Sequence, residues 1–244
     1  MKVIFLSDAH LQSKEDANYN LLLSFLDTLK EKIDHVFIVG DFFDFWFCKE
    51  EKIYPDFKII VDKLIDLKNS GVHIHLCEGN HDFFLEKFFT DIHGMEVFPE
   101  WGTINLDGLR TLVSHGDTID TTNTRYLMLR KILRSRTFYR MQEKIPPVIL
   151  WKIARMSSKI SSEHLAKPPD GLVKIMEAFT IEKFKEGFDA VILGHCHTPT
   201  IKQYIIDGRE KTFVTLGDWI SHYSYLLYED GKFTLSVFSG AILL

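Results

Sequence analysis

Cysteine is scarce in this chain of 244 residues: only Cys48, Cys77 and Cys196 occur, an odd number without CxxC spacing. That scarcity excludes a disulfide-built scaffold and fits a reducing, cytoplasmic compartment. No apolar run approaches the roughly 18 residues of a spanning helix. The start, Met-Lys-Val-Ile-Phe-Leu, reaches Asp8 too soon for a signal-peptide core. Neither a Gly-x-Gly-x-x-Gly nor a Walker phosphate loop is present, so no cofactor beyond metal is expected. Internal repeats are absent as well. A formal charge of -5 argues against a general nucleic-acid binder. What remains is 45% hydrophobic and 26% charged, enough to bury one large core in a single catalytic-sized domain over residues 1–244.

Apolar periodicity then divides the chain. Val3 to Ser7 reads as a strand, followed by a helix through Leu21, Leu22, Phe25 and Leu29. The unit repeats with a strand from His35 to Val39 and a helix from about Pro55 to Asn69, whose apolar residues are Ile59, Ile60, Leu64 and Leu67. A third strand spans Val72 to Cys77, with His73 and His75 on its outward alternation, and a shorter segment covers Phe83 to Phe89. Asp107-Gly108 marks a hairpin between Gly102–Leu106 and Arg110–Ser114. A helix from about Asp170 to Lys185 and a strand Ala190–Leu193 follow; Asp207-Gly208 and Asp230-Gly231 predict further hairpins. This order predicts an α/β fold of two mixed sheets packed together with helices outside.

Five strand ends carry Asp, His or Asn: Asp8 and His10; Asp41 and Asp44; Asn80, His81 and Asp82; His115; and His195 with His197. Each interrupts an apolar strand with groups that are expensive to bury unpaired, so a shared metal site explains them better than solubility. Carboxylate plus imidazole suits Mn, Fe, Zn or Co better than Ca. Asp44 either caps a turn or supports a histidine ligand, and Asp82 either orients His81 or anchors its loop. Cys196, between two histidines, is expected to point away from them. Gly79 and Gly194 read as sharp-turn residues at the ligand edge.

The blocks Asp8-Ala-His10, Gly40-Asp41-Phe-Phe-Asp44, Gly79-Asn80-His81-Asp82, His115-Gly116 and Gly194-His195-Cys196-His197 resemble, in order, those of the calcineurin-like metallophosphoesterase superfamily. The resemblance implies a four-layer αββα sandwich and two divalent ions. Asp8, His10, Asp41 and His197 would hold one ion; Asp41, Asn80, His115 and His195 would hold the other, with Asp41 bridging. His81 would lie beside the phosphate, to stabilise transition-state charge or to give a proton to the leaving group. Asp41, Asn80 and His81 are thus the expected catalytic residues.

Between Thr121 and Pro168 the chain reads as helices broken at Pro146-Pro147, with 11 Lys or Arg against only Glu143 and Glu163. That local balance of +9 leaves -14 for the rest, an acidic body with a basic insert at 121–168. Apolar residues alternate with the basic ones at helical spacing, which suits an anionic membrane, a groove for an amphipathic anion, or plain docking on the body. Few aromatics and no RNA-binding signature disfavour nucleic acid. The run Ser114 to Tyr126, the insert's position and the start Ser-Asp-Ala-His-Leu resemble the UDP-2,3-diacylglucosamine pyrophosphatases of lipid A biosynthesis. That family acts at the cytoplasmic face of the inner membrane, typically with manganese, releasing UMP and 2,3-diacylglucosamine 1-phosphate by water attack at the α-phosphorus. The resemblance implies an amphipathic nucleotide-sugar lipid as substrate, an anionic membrane surface and no protein partner. Substrate contacts would come from Asn80, His81, Asn123, Tyr126, Arg155, Lys159 and Lys167, the last three by a loose match. The chain departs from that family at His81, where an arginine is usual, and at Asn123, where an aspartate is. Histidine can donate a proton near neutral pH whereas arginine supplies fixed charge, so soluble phosphomonoesters, phosphodiesters or dinucleotide polyphosphates are the alternative substrates.

Overall fold

Every residue of the first strand, β1 (Val3–Leu6), is buried, which requires cover on both faces. The structure is a computed structural model that describes residues 1–49, 51–162 and 171–240, with the side chains of 157–162 outside the description. After β1 come α1 (Ala17–Leu29), β2 (His35–Val39), a single 3-10 turn at Pro55–Phe57, α2 (Lys58–Asn69), β3 (His73–Cys77), α3 (Glu86–Phe89) and β4 (Glu96–Phe98). A hairpin of β5 (Trp101–Leu106) and β6 (Leu109–Ser114) leads to three consecutive helices, α4 (Thr124–Leu133), α5 (Arg136–Gln142) and α6 (Pro147–Ser162). The chain closes with α7 (Leu172–Lys185), β7 (Ala190–Leu193), β8 (Thr200–Ile206), β9 (Arg209–Thr215), β10 (Ser224–Glu229) and β11 (Lys232–Val237).

Two mixed sheets result, a six-stranded one in the order β11-β10-β1-β2-β3-β4 and a five-stranded one in the order β5-β6-β7-β9-β8. β1 to β4 pair in parallel, as do β6, β7 and β9, while the terminal strands add antiparallel edges. Three apolar cores fill the layers. Ile4, Leu6, Val36 and Ile38 pack beneath α1 and α2; Val3, Phe5, Phe37 and Val39 meet Val113, Ile192 and Val214 between the sheets; Val191 and Phe213 pack with Met176 and Phe184 of α7. This is the αββα sandwich that the family resemblance implies, and it agrees with the two packed sheets and outer helices that the strand pattern predicts. Because parallel strands all end on one side, the chain's strand-end acids and imidazoles share one edge.

Some local readings differ. In α2 the buried residues are Ile60, Val61, Leu64 and Leu67, whereas Ile59 is exposed. His73 is exposed and His75 half-buried while Ile74 and Leu76 are buried, as the alternation predicts, although the two imidazoles share the face of Cys77 and stand at the open margin of the inter-sheet layer. There His35 Nδ1 lies 2.9 Å from His75 Nε2, and His75 Nδ1 lies 2.8 Å from Glu96 Oε2. β4, with only three residues, is too short to show a period.

Neither α4 nor α5 buries a residue fully. The segment is attached through both apolar and polar contacts: Trp151 and Ala154 pack against the core and Tyr139 against Phe84, Lys49 Nζ donates to Glu143 O at 2.7 Å, Lys87 pairs with Glu143 at 2.9 Å, and Arg130 and Arg134 reach the body. Among the described residues, no helix is long and apolar enough to cross a membrane.

Candidate metal centre

Strand-to-loop junctions place the site. Asp8 and His10 follow β1, Asp41 follows β2, Asn80 follows β3, His115 follows β6, and His195 and His197 follow β7. The backbone turns sharply at these points: Asp8, His10, Asp41, His195 and His197 all have positive φ, between 43° and 65°. That region disfavours side-chain-bearing residues, so the surroundings must hold it. Gly79 is not in this region; its role is close approach. A Cβ there would lie 2.2 Å from Asp41 Oδ1, and one at Gly194 would lie 2.8 Å from Val39 O. Both glycines thus let two ligand loops touch, which corrects the sharp-turn reading.

The side chains gather into sets whose ligand atoms lie within 4.8 Å of one another: Asp8, His10 and His197 in one, and Asp41, His115 and His195 in another. Asp41 sits between them, its Oδ2 being 3.6 Å from His10 Nε2 and 3.3 Å from His115 Nε2. Asn80 joins the second set through Oδ1, 3.0 Å from His115 Nε2.

These donors fit divalent cations. The Val39 carbonyl, 3.1 Å from His115 Nδ1, can only accept, so Nδ1 carries a proton and the Nε2 lone pair points at two oxygens. Only a proton or a cation relieves that convergence. His115 reflects this: burial opposes its charge, but Asp41, with Asp8 and Asp117 behind it, pushes it up to about 10. Asp8 Oδ1 and His10 Nε2 are buried without hydrogen-bond partners among the described residues. Orphaned polar atoms of this kind call for an ion. Burial and the neighbouring His115 push His195 down to about 4, leaving it a neutral ligand. Asp41, despite complete burial, is held well below the carboxylate range by His115, His81 and His10.

A second ring of groups holds the ligands. Asp82 accepts from the backbone N–H of Asp41, Phe42, Phe43 and Gly79 at 2.8–3.1 Å. Of its two sequence-derived roles, the loop anchor is the one present. Burial and the Asp41 charge push Asp82 up to about 7, against the pull of those N–H donors. Asp44 Oδ1 is 3.8 Å from both His10 Nδ1 and His81 Nδ1, beside a histidine of the first set. Cys196 Sγ contacts Thr198 O at 3.7 Å, and its buried thiol is pushed up to about 11, away from ligation.

Several site residues escape the sequence reading. Asp218 is 3.7 Å from His197 Nδ1 and is held well below its ordinary value by His197, Ser221 and His222 despite burial. Its signal was present: Gly217-Asp218 follows β9 just as Gly40-Asp41 follows β2. Glu78, directly after β3, and Gly116-Asp117, after β6, carry the same mark, whereas Arg130 and Arg134 on the first helix of the insert have none. His81 lies at the mouth of a cavity of about 620 Å³, together with Asn80 and Tyr126. Its N–H donates to Asp41 Oδ1 at 2.8 Å, and its Nδ1 is 3.0 Å from Asp44 O. Since that carbonyl only accepts, Nδ1–H donates and Nε2 is the titrating atom. Burial opposes its charge, but Asp41 and the Asp44 carbonyl raise it above the ordinary imidazole value.

The cavity wall is apolar, formed by Trp46, Leu133, Phe138, Ile145 and Ile153 among others, with Arg130 and Arg134 near the metal end. Tyr126 donates its hydroxyl to Asp117. Asn123 caps α4, accepting Tyr126 N at 3.2 Å, and does not line the cavity. Arg155 is exposed on the far side of α6, with its guanidinium 5.9 Å from the Tyr54 ring, away from the metal centre. The Lys159 side chain and Lys167 lie outside the described residues.

The fold and ligand sets define a metal-dependent hydrolase of the phosphoesterase type. A model of the calcineurin-like phosphoesterase family matches residues 1–199, and the chain belongs to that family. Among curated relatives, the UDP-2,3-diacylglucosamine hydrolase of Vibrio atlanticus (strain LGP32) is 30% identical over 238 residues, covering 96% of each chain. The UDP-2,3-diacylglucosamine hydrolase of Neisseria gonorrhoeae (strain ATCC 700825 / FA 1090) is 32% identical over 232 residues, covering 93% of each.

Proposed function

We propose that this hydrolase cleaves the pyrophosphate of UDP-2,3-diacylglucosamine, giving UMP and 2,3-diacylglucosamine 1-phosphate. The observation that carries this reading is the cavity: an apolar chamber of about 620 Å³ opens directly onto Asn80 and His81 at the metal centre. Its size falls within the roughly 300–1,000 Å³ typical of small-molecule sites, and its wall suits acyl chains better than a soluble ester. The names borne by relatives that align over nearly the whole chain support the same substrate.

In this reading residues 121–168 form a cap over one domain. Asp8, His10, Asp41 and His197 hold one divalent ion, and Asp41, Asn80, His115 and His195 hold a second, manganese being the expected metal. Bound there, the ions supply Lewis-acid polarisation of phosphoryl oxygens and a lowered pKa for water. Asn80 and Tyr126 border the phosphate-sugar region, and His81 presents Nε2 as a charge stabiliser or proton donor to the departing oxygen. Asn123 and Arg155 become substrate contacts only if the cap closes further over a bound lipid; Lys159 and Lys167 are proposed contacts from the family resemblance. Exposed Met128, Val148 and Met156 beside the basic residues of the insert suit an anionic membrane surface, at the cytoplasmic face of the inner membrane.

His81 keeps a second reading alive, because a titratable imidazole can serve poorer leaving groups of soluble esters. The deciding experiment measures manganese-dependent UMP release from UDP-2,3-diacylglucosamine in mixed micelles against hydrolysis of bis-p-nitrophenyl phosphate. A strong preference for the lipid, abolished by Asp41→Ala and selectively impaired by Leu133→Glu in the cavity wall, is expected. Efficient cleavage of the small diester without lipid turnover would overturn the lipid reading.

A further inference from the structure

Arg130 and Arg134 lie one turn apart on α4 and its C-terminal edge, so they project from one helix face. Arg130 Nε donates to Asp117 Oδ2 at 2.6 Å and its Nη1 to Glu100 Oε1 at 2.8 Å. Asp117 follows the ligand His115 by two residues. Arg134 Nη1 donates to Glu78 Oε2 at 3.0 Å and to Pro99 O at 2.9 Å, while Nη2 donates to Gly79 O at 2.6 Å. Gly79 adjoins the ligand Asn80. Glu78 Oε1 in turn accepts Leu85 N at 2.9 Å, closing the loop that carries Asn80 and His81. Both guanidiniums are largely buried, at 12% and 13% side-chain exposure, and so are the carboxylates Asp117 and Glu78 at 4% and 5%.

We infer that Arg130 and Arg134 are positioning residues through which the helical segment fixes the Asn80 and His115 loops, and hence one of the two metal subsites. The inference rests on the reading that Asn80 and His115 serve the same ion. Three physical reasons support it. Without its arginine each buried carboxylate would lose its guanidinium partner beside a ligand loop, keeping Tyr126 for Asp117 and Leu85 N for Glu78, an arrangement the loop would relax to improve. The planar fork of Arg134 spans a side-chain oxygen and main-chain carbonyls at once, which fixes direction as well as distance. Finally, Asn80 is a neutral amide that no charge attraction pulls toward the ion, so its contribution depends on where the Gly79–Asn80 backbone is held. The first subsite has a different support, with Asp218 beside His197. The two subsites should therefore respond unequally.

The test is calorimetric titration of manganese into the metal-stripped full chain, with melting temperature recorded for each variant. In Arg134→Gln, one of two sites should weaken by about 10–100-fold, the size typical for loss of a group supporting a metal ligand, while the other stays within about twofold. Arg134→Lys, which keeps the charge but not the fork, should fall between them and guards against a variant that fails to fold. Unchanged affinity at both sites with only a raised KM would overturn the proposal and make Arg134 a cavity wall. Equal weakening of both sites together with a lower melting temperature in both variants would also overturn it, as a general folding role. A parent chain that binds fewer than two ions would instead remove the shared-ion reading on which the proposal stands.

Discussion

Replacing Gly79 by alanine isolates the contact on which the ligand geometry depends. An added Cβ would lie 2.2 Å from Asp41 Oδ1, 2.4 Å from Asp41 N and 2.9 Å from Asp41 Cγ, where ordinary contacts begin at 3.4 Å. Backbone N cannot swing aside as a side-chain end can, so the two loops must part by about 1 Å. Overpacking of this kind costs about 1–3 kcal/mol. Gly79 is not at positive φ, so alanine also restricts the unfolded chain and returns about 0.4–1 kcal/mol. A net loss of about 1–2 kcal/mol remains, lowering the melting temperature by roughly 2–8 °C for a chain of this size. Activity should suffer more, because a misplacement of about 1 Å can cost on the order of 100-fold in rate. Scanning fluorimetry and manganese-dependent UMP release measure the two. Gly108→Ala is the control: its φ is +96° but nothing lies near its Cβ, so it should lose stability and keep activity. A Gly79→Ala enzyme with parental turnover would refute the argument that this approach sets Asp41.

Two pH effects follow from the titrating groups. Burial, together with the other imidazoles of the stack, holds His35 below the ordinary value of 6.5, and burial does the same for His75 despite Glu96. Below 6.5 the unfolded chain then binds more protons than the native one, so this contribution is present above 6.5 and lost as pH falls through the lowered native values. Melting curves from pH 8 to pH 5 should show a decline that is shallower in His35→Gln/His75→Gln; an unchanged slope would remove the stack from the account. His115 behaves oppositely in the metal-free chain. With its value pushed up to about 10 by Asp41 against the effect of burial, it is protonated at neutral pH and must lose that proton to ligate. Manganese uptake at pH 7 should release protons, read as a dependence of the calorimetric heat on buffer ionisation enthalpy, and affinity should rise with pH. No buffer dependence would contradict the His115 assignment.

The ligand inventory was legible because it is written locally. A buried strand that ends in Asp or His announces an anomaly within a few residues, and Asp8, Asp41, Asn80, His115 and His197 each carry that mark. The same signal at Gly217-Asp218 is ambiguous, since a single aspartate after a strand also reads as a turn. Alternation places exposed His73 and half-buried His75 opposite buried Ile74 and Leu76, but it does not say that their face is the one that meets the other sheet.

Strand periodicity and strand-end chemistry, both short-range properties, determined two packed sheets with helices outside and the set of side chains able to hold metal, and the family resemblance added the four-layer αββα order. Only the tertiary structure decided that Gly79 and Asp41 touch, that the insert encloses an apolar chamber beside His81, and that Arg134 grips Glu78 across 56 residues of chain. Such partners are chosen by the packing of one layer or loop on another, and side chains far apart in sequence carry no local pattern that identifies the neighbour they will meet.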